Sequence, residues 1–303
     1  MRFKWNYDFV KLSKYFYTFS IILTIAGIIS LAVAGLNYGV DFRSGSNVDV
    51  TLTKPLTEAQ VAPVVESLNL SKDPSISVGG DGRMSIRFET VLTDTQENQL
   101  KQAFNKQLDS GASFEVNTVD PTIAKELERN ALWAVLLASL GIIIYVTIRF
   151  EWRFAVASVV ALLHDAFLVI SVFSIFRLEV DLTFITAVLT IIGYSLNDTI
   201  VIFDRIRSNL RFAKQRKRGD VADIVNKSIS QTMTRSLNTV LTVFIACLLL
   251  FIMGSESIRM FSLAMMIGLA FGAYSSIFIA SPLWLVLKNR QKPKAKAPSK
   301  TTA

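Results

Sequence analysis

The sequence predicts an α-helical polytopic membrane protein with six transmembrane helices and a small α+β, ferredoxin-like domain inserted between the first two. Three observations predict this. The 303 residues are 51% hydrophobic, with a mean hydropathy of +0.42. The apolar runs reach the roughly 20 residues that a helix needs to cross a bilayer. About 90 largely polar residues, acids outnumbering bases, separate the first run from the second.

Residues 1–15 are read as a cytoplasmic N-terminus and 16–36 as the first span. That run lacks the small-residue cleavage pattern of a removable signal peptide, so it stays in place. Residues 37–128 form an extracytoplasmic head domain. Residues 129–287 hold spans two to six, at about 130–149, 154–176, 182–203, 233–253 and 259–287, and 288–303 is a basic cytoplasmic tail.

Charge fixes the expected orientation. Four basic residues precede the first span (Arg2, Lys4, Lys11, Lys14), eight lie in 204–230, six lie between Lys288 and Lys300, and Arg149 and Arg153 flank one turn. The opposite turns carry only Arg177 and Arg259. By the positive-inside rule the basic face, with both termini, is cytoplasmic, in a cell (plasma or inner) membrane. The +8 net charge is thus explained without nucleic acid. The single cysteine, Cys247, lies in an apolar run, and no Cys/His cluster offers a zinc site, so no metal, cofactor or disulfide is expected.

Within the head, Val48, Val50 and Leu52 alternate as a strand, and Thr57 to Leu68 reads as a helix opened by a Thr57–Gln60 capping box. Ile76 and Val78, then Met84, Ile86 and Phe88, flank the turn Gly79-Gly80-Asp81-Gly82 as a hairpin. Asp94 to Leu108 is an amphipathic helix with Leu100, Phe104 and Leu108 on one face, followed by the strand Phe114, Val116, Thr118. The order β-α-ββ-α-β is the ferredoxin-like pattern. Its acids are scattered singly, so the domain reads either as a docking spacer or as a surface touching a substrate that leaves the membrane.

The chemistry concentrates in the spans. Asp198 lies about five residues inside span four, and Arg235 about seven residues into span five, roughly 8 and 10 Å from one face at 1.5 Å per residue. Such groups cost roughly 2.5–3.5 kcal/mol each at membrane depth, so they mark function by default. Gln231, Arg235, Asn238 and Thr242 recur at helical spacing as a polar stripe. Asn197 and Ser195 flank Asp198, and span three carries His164 and Asp165. Burial and a nearby cation act oppositely on a carboxyl group's proton affinity, so separating Asp198 from Arg235 would switch its protonation. The competing reading is a permanent ion pair that only fixes helix packing, with His164, Asp165 and Asn197 as satisfied interior groups. In span six, Ala264, Gly268, Gly272, Ser276 and Ala280 form a small-residue stripe for close helix approach, within the bundle or against a partner.

Several segments together resemble the SecF family of bacterial protein-export membrane subunits. They are Gly39-Val40-Asp41-Phe42-Arg43-Ser44-Gly45, Leu163-His164-Asp165, Tyr194-Ser195-Leu196-Asn197-Asp198-Thr199, Phe203-Asp204-Arg205-Ile206-Arg207, Ser228 to Ser236 and Gly272 to Phe278. Arg43-Ser44-Gly45 departs from the family's usual glycine pair. The resemblance implies an RND-type half bundle that pairs with SecD and helps draw preproteins through the SecYEG translocon with the proton-motive force. It also implies contact with YajC, a YidC-type insertase and membrane lipid, and it carries the family's proton-path groups over to Asp198 and Arg235, with Asn238 and Gln231 of the polar stripe read as part of the same pathway. Half of an RND exporter for lipids or small molecules and a non-conducting translocon scaffold are the alternatives. An intramembrane hydrolase is disfavoured, since neither a zinc motif nor paired catalytic aspartates occur.

Overall fold

The computed structural model describes residues 7–71, 74–79, 82–212, 218–254 and 256–290. Helix α1 (Phe9–Val33) begins before the apolar run, because the Asp8 carboxylate accepts the Lys11 backbone N–H at 3.1 Å and caps it. A two-residue strand β1 (Asn37–Tyr38) and a single helical turn α2 (Val40–Arg43) follow.

The head domain comprises β2 (Gly45–Thr51), α3 (Glu58–Ser67), β3 (Ser75–Val78), β4 (Arg83–Phe88), α4 (Asp94–Gln107) and β5 (Ser113–Val119). Its antiparallel sheet has the order β3-β4-β2-β5, which places the first strand between the last and the third, as the ferredoxin-like pattern requires. Period-two alternation sends Val48, Val50, Met84, Ile86 and Phe88 to one face, where Val61, Leu100 and Phe104 of α3 and α4 cover them. Capping boxes at Thr57–Gln60 and Thr93–Gln96 start both helices. Gly80 and Asp81 of the expected hairpin turn lie outside the described residues.

The chain then enters the membrane through α5 (Pro121–Arg149), whose start is set by Asp120 accepting from Thr122 N–H at 2.8 Å and by Pro121 at the first helical position. Helix α6 (Trp152–Ile175), strand β6 (Glu179–Val180), α7 (Leu182–Phe212), α8 (Arg218–Met253), α9 (Glu256–Ser275), a π-helical segment (Ser276–Ala280) and α10 (Ser281–Asn289) complete it. Six helices are long and apolar enough to cross a membrane, the last running from Ile258 to Asn289 through the π segment. Pro282 accounts for that segment: its ring nitrogen cannot donate to the preceding turn, and Ser281 Oγ donates instead to the Ser276 carbonyl at 2.9 Å. About half of the spans formed by α6, α7 and α9 is buried, whereas those of α1, α5 and α8 bury little. α7 and α8 both run past their apolar runs on the basic side, while residues 1–6 and 291–303, with most of the basic tail, fall outside the described set.

Strand β1 pairs in parallel with β6, stitching the segment after the first span to the α6–α7 turn. Arg177 donates to the carbonyls of Ala34 and Gly35 at 2.6 and 3.0 Å, supplying charge and donors where α1 ends. The sheet face away from α3 and α4 is polar. Arg87 on it meets Glu179 at 3.5 Å, and Arg83 donates to the Met253 carbonyl at 3.3 Å, so this face rests on the bundle.

Candidate functional site

Asp198 sits on the inner flank of α7, 9% exposed. Ser236 of α8 donates its hydroxyl to Asp198 Oδ1, and the buried Oδ2 has no hydrogen-bond partner among the described residues. A cleft of about 20 Å³ lined by Tyr194, Ser195, Asn197, Asp198, Thr239 and Gly272 opens beside it. That volume is enough for one water, which needs roughly 10–15 Å³.

Arg235 is the neighbour of Ser236, but a single residue turns a helix by 100°, so the serine faces Asp198 while the guanidinium faces out. No ion pair joins Asp198 to Arg235 among the described residues. The expected contact is thus replaced by a serine one position on. Gln231, Arg235 and Asn238 are all exposed on the outer face of α8, and Asn197 is exposed on α7 rather than interior. Gln231 Oε1 accepts from Arg205 Nε at 2.6 Å and Asn209 Nδ2 at 2.9 Å, which fixes the basic end of the α7–α8 pair.

A second polar set centres on a buried carboxylate. Asp165 of α6 is fully buried; its Oδ1 meets His164 Nδ1 at 2.9 Å, while Oδ2 accepts from Ser195 at 2.5 Å and Ser275 at 2.7 Å. His164 Nε2 lies 2.9 Å from Ser20 Oγ of α1, and Tyr274 OH lies 3.0 Å from the same oxygen. An ionised Asp165 requires the proton on Nδ1, leaving Nε2 to accept from Ser20, an assignment made from the network. Ser195 precedes Asp198 by three residues on α7, so the two lie on neighbouring positions of one helix face, with the Ser195 hydroxyl given to Asp165. The hydrogen-bonded set Ser195, Asp165, His164, Ser20 crosses the bundle from α7 to α1.

The small residues of α9 make this proximity available. A Cβ at Gly268 would overlap the Ile191 side chain, and one at Gly272 would lie 3.2 Å from Ser195 Cβ. Ser276 continues the line with a 2.8 Å hydroxyl contact to Thr199. The stripe therefore packs against α7 within this chain.

At the head junction, Asp41 Oδ2 accepts the Leu182 backbone N–H at 3.0 Å, and Asp181 Oδ1 accepts that of Phe184 at 2.7 Å, so two carboxylates cap the first turn of α7. Gly39 N–H donates to the Val180 carbonyl at 2.8 Å, and a Cβ there would lie 2.7 Å from Glu179 Oε1. Phe42 packs edge-on against Tyr38. Gly45 has φ of 125°, beside the Phe88 carbonyl, a conformation open to glycine alone. Burial raises the carboxyl pKa values of Glu179 and Asp181 here, with neighbouring acids adding to it.

Ser236, Ser20, Ser275 and Tyr274 were not singled out by sequence reasoning. Their only signal was membership in quoted motif strings for three of them, and none for Ser20. Hydroxyls are common in spans, and pairing across helices decides which ones matter.

Comparison with known proteins bears on what the arrangement serves. A family model described as protein export membrane protein SecD/SecF, C-terminal, matches residues 99–290, and the SecD/SecF GG motif matches 29–56. The protein translocase subunit SecF of Alicyclobacillus acidocaldarius is 45% identical over 96% of both chains. The protein translocase subunit SecDF of Bacillus subtilis is 48% identical over 97% of this chain. The chain spans 40% of that relative's length. A crystal structure of SecDF from Thermus thermophilus, a translocon-associated membrane protein, superposes with a TM-score of 0.83 at 32% identity, covering 94% of this chain and 39% of that one. SecDF in a super-membrane-facing form gives 0.66 at 32% identity, over 96% and 39%.

Proposed function

The chain belongs to the SecD/SecF family of protein export membrane proteins, and we propose from this that it is the SecF-type subunit of a Sec preprotein translocase. It works as a transport component rather than an enzyme, beside a SecD-type partner and the SecYEG translocon, and uses the proton-motive force to promote export and release. YajC and a YidC-type insertase are further partners in this reading. Both termini and the α7–α8 turn face the cytoplasm, in accord with their basic residues, and the 37–128 head faces the other side.

The observation that carries the reading is the outer face of α8. Arg235 and Asn238, with Asn197 beside them on α7, are exposed at positions that apolar helices place in the membrane. Polar groups at that depth face protein or a wet cavity, not lipid. This face is half of a site that a partner bundle completes. Asp198, with one oxygen held by Ser236, the other buried without a partner among the described residues, and a water-sized cleft against the residue, is the group that takes up and releases the proton. Arg235, next to Ser236 on α8, acts on it when the helices move. Ser195, Asp165 and His164 hold the inner flank of the relay.

The test is preprotein export into inverted membrane vesicles, with and without a proton gradient. Asp198→Asn keeps the Ser236 acceptor but cannot ionise, so export loses its gradient-dependent part while the chain still co-purifies with its SecD-type partner. Undiminished gradient dependence in that variant would sink the proton role. Undiminished export with the whole chain deleted would sink the export role.

A further inference from the structure

A cavity of about 560 Å³ is a side groove in the membrane-spanning bundle rather than part of the Asp198 site. It lies mainly between α5 and α6, with Thr24 of α1 and Ile192 of α7 at its base. Apart from Thr24, Ser139 and His164, its lining is hydrocarbon. Both ring nitrogens of His164 are already engaged by Asp165 and Ser20, so the ring asks for no polar ligand.

Size and position limit the occupant. Dry apolar cavities of about 150 Å³ occur in proteins, and this one is several times larger, so bilayer hydrocarbon enters it. At about 30 Å³ per water-sized group, it holds on the order of eighteen methylene-sized groups, one fatty-acyl chain. A transmembrane helix, about 30 Å long and 10 Å across, is several times too big.

Charge identifies the head of that molecule. On α5, Val135, Ile142 and Arg149 are seven residues apart and so lie along one line of the helix, the first two lining the groove. Arg149 then stands about 10 Å beyond Ile142, at the end of that line. On α6, Trp152 precedes the groove residue Val159 by the same seven residues, and its side chain is 56% exposed. Arg149 is exposed, and its recorded contact is the Phe150 ring at 5.3 Å. The nearby acid, Glu151, is held by Arg153 and lies 3.9 Å from Lys288. A guanidinium without an acidic partner among the described residues, and an indole that already carries the Arg153 guanidinium 4.8 Å from its ring, match a phosphate at the membrane interface.

We propose that an anionic phospholipid binds here, its phosphate on Arg149 beside Trp152 and one acyl chain in the α5–α6 groove reaching His164. The chain keeps the lipid side of the His164–Asp165 pair dry. This site is independent of the export reading.

The test uses the full chain with Cys247→Ser, reconstituted in vesicles, with a small fluorophore on Val159→Cys in the groove or on Leu137→Cys, whose native side chain is 61% exposed. Mid-chain brominated phosphatidylglycerol or phosphatidylcholine is titrated in. At position 159 the anionic lipid should quench half-maximally at a mole fraction roughly fivefold lower, the factor one basic residue contributes at an anionic surface. At position 137 the two lipids should act alike. Arg149→Gln should remove the preference at 159, and Arg149→Lys should keep it, with the 137 label unchanged in both as the check on folding. No quenching at 159, equal quenching by both lipids there, or a preference that survives Arg149→Gln would overturn the proposal.

Discussion

Replacing Gly268 by alanine adds one methyl group where α9 crosses α7, and the structure sets both the sign and the size of the effect. The new Cβ would overlap three atoms of the Ile191 side chain, which is 1% exposed. Overpacking of this kind costs about 1–3 kcal/mol. Alanine also gains about 1 kcal/mol over glycine inside a helix, leaving a net loss of roughly 0–2 kcal/mol. Gly141 of α5 has nothing within 4 Å of its Cβ position, so alanine there keeps the gain without the clash. The two substitutions should therefore differ by about 1–3 kcal/mol and have opposite signs. Thermal unfolding of the purified full chain in one detergent, followed by near-UV circular dichroism, measures the difference. Ile191→Val removes the nearest methyl; alone it should cost about 0.5–1.5 kcal/mol, but in the Gly268→Ala background it should recover part of the loss. That non-additivity, in the range of 0.5–3 kcal/mol for contacting residues, is the signature of the close approach. If Gly268→Ala were as stabilising as Gly141→Ala, or if the two changes simply added, the helix contact would be wrong.

Asp41→Ala should lose a cap on α7 and cost about 1 kcal/mol, seen as faster hydrogen exchange at Leu182 with the rest of the helix unchanged. Asp165→Leu should cost at least about 2 kcal/mol, because it strands the Ser195 hydroxyl and one nitrogen of His164 at about 1–3 kcal/mol each, while the Ser275 hydroxyl keeps the Gly272 carbonyl; an unchanged melting temperature would contradict the network. Asp109 of the head accepts from Thr53 Oγ1 at 2.5 Å, Thr53 N at 2.6 Å and Gly111 N at 3.1 Å. Its pKa is lowered below 3.8, the Thr53 hydroxyl being the main cause. A depressed carboxyl pKa adds stability above the unfolded value and loses it as pH falls through the folded one. Wild type should therefore exceed Asp109→Asn in head-domain exchange protection by a constant margin from pH 7 to about 5, and the margin should shrink below 3.8. A margin that persisted far below that pH would rule out the carboxylate as its source.

Much of this was legible in the chain because it depends on local pattern. Val48, Val50, Ile86 and Phe88 alternate because strands do, and Thr57 and Thr93 cap because a threonine three residues before a glutamine satisfies two backbone donors. The six apolar spans follow from length alone. Asp198 and Arg235 stood out because charge is costly among apolar neighbours. Asp41 was visible only as part of a motif, its cap on α7 hidden by a separation of 141 residues. The β1–β6 pairing is two residues long on each side, too short for any periodicity to register.

The sequence by itself determined that the chain spans a membrane six times, carries a ferredoxin-like head and buries ionisable groups in its helices, since hydropathy, period and cost per charge are properties of short windows. Tertiary structure alone decided which polar groups meet. Rotation of α8 by one residue gives Asp198 to Ser236 and turns Arg235 outward, and the glycines of α9 bring Ser275 and Ser195 onto Asp165. Those choices depend on helix phase and separation, to which side-chain contacts respond over a few tenths of an ångström and which no single segment encodes.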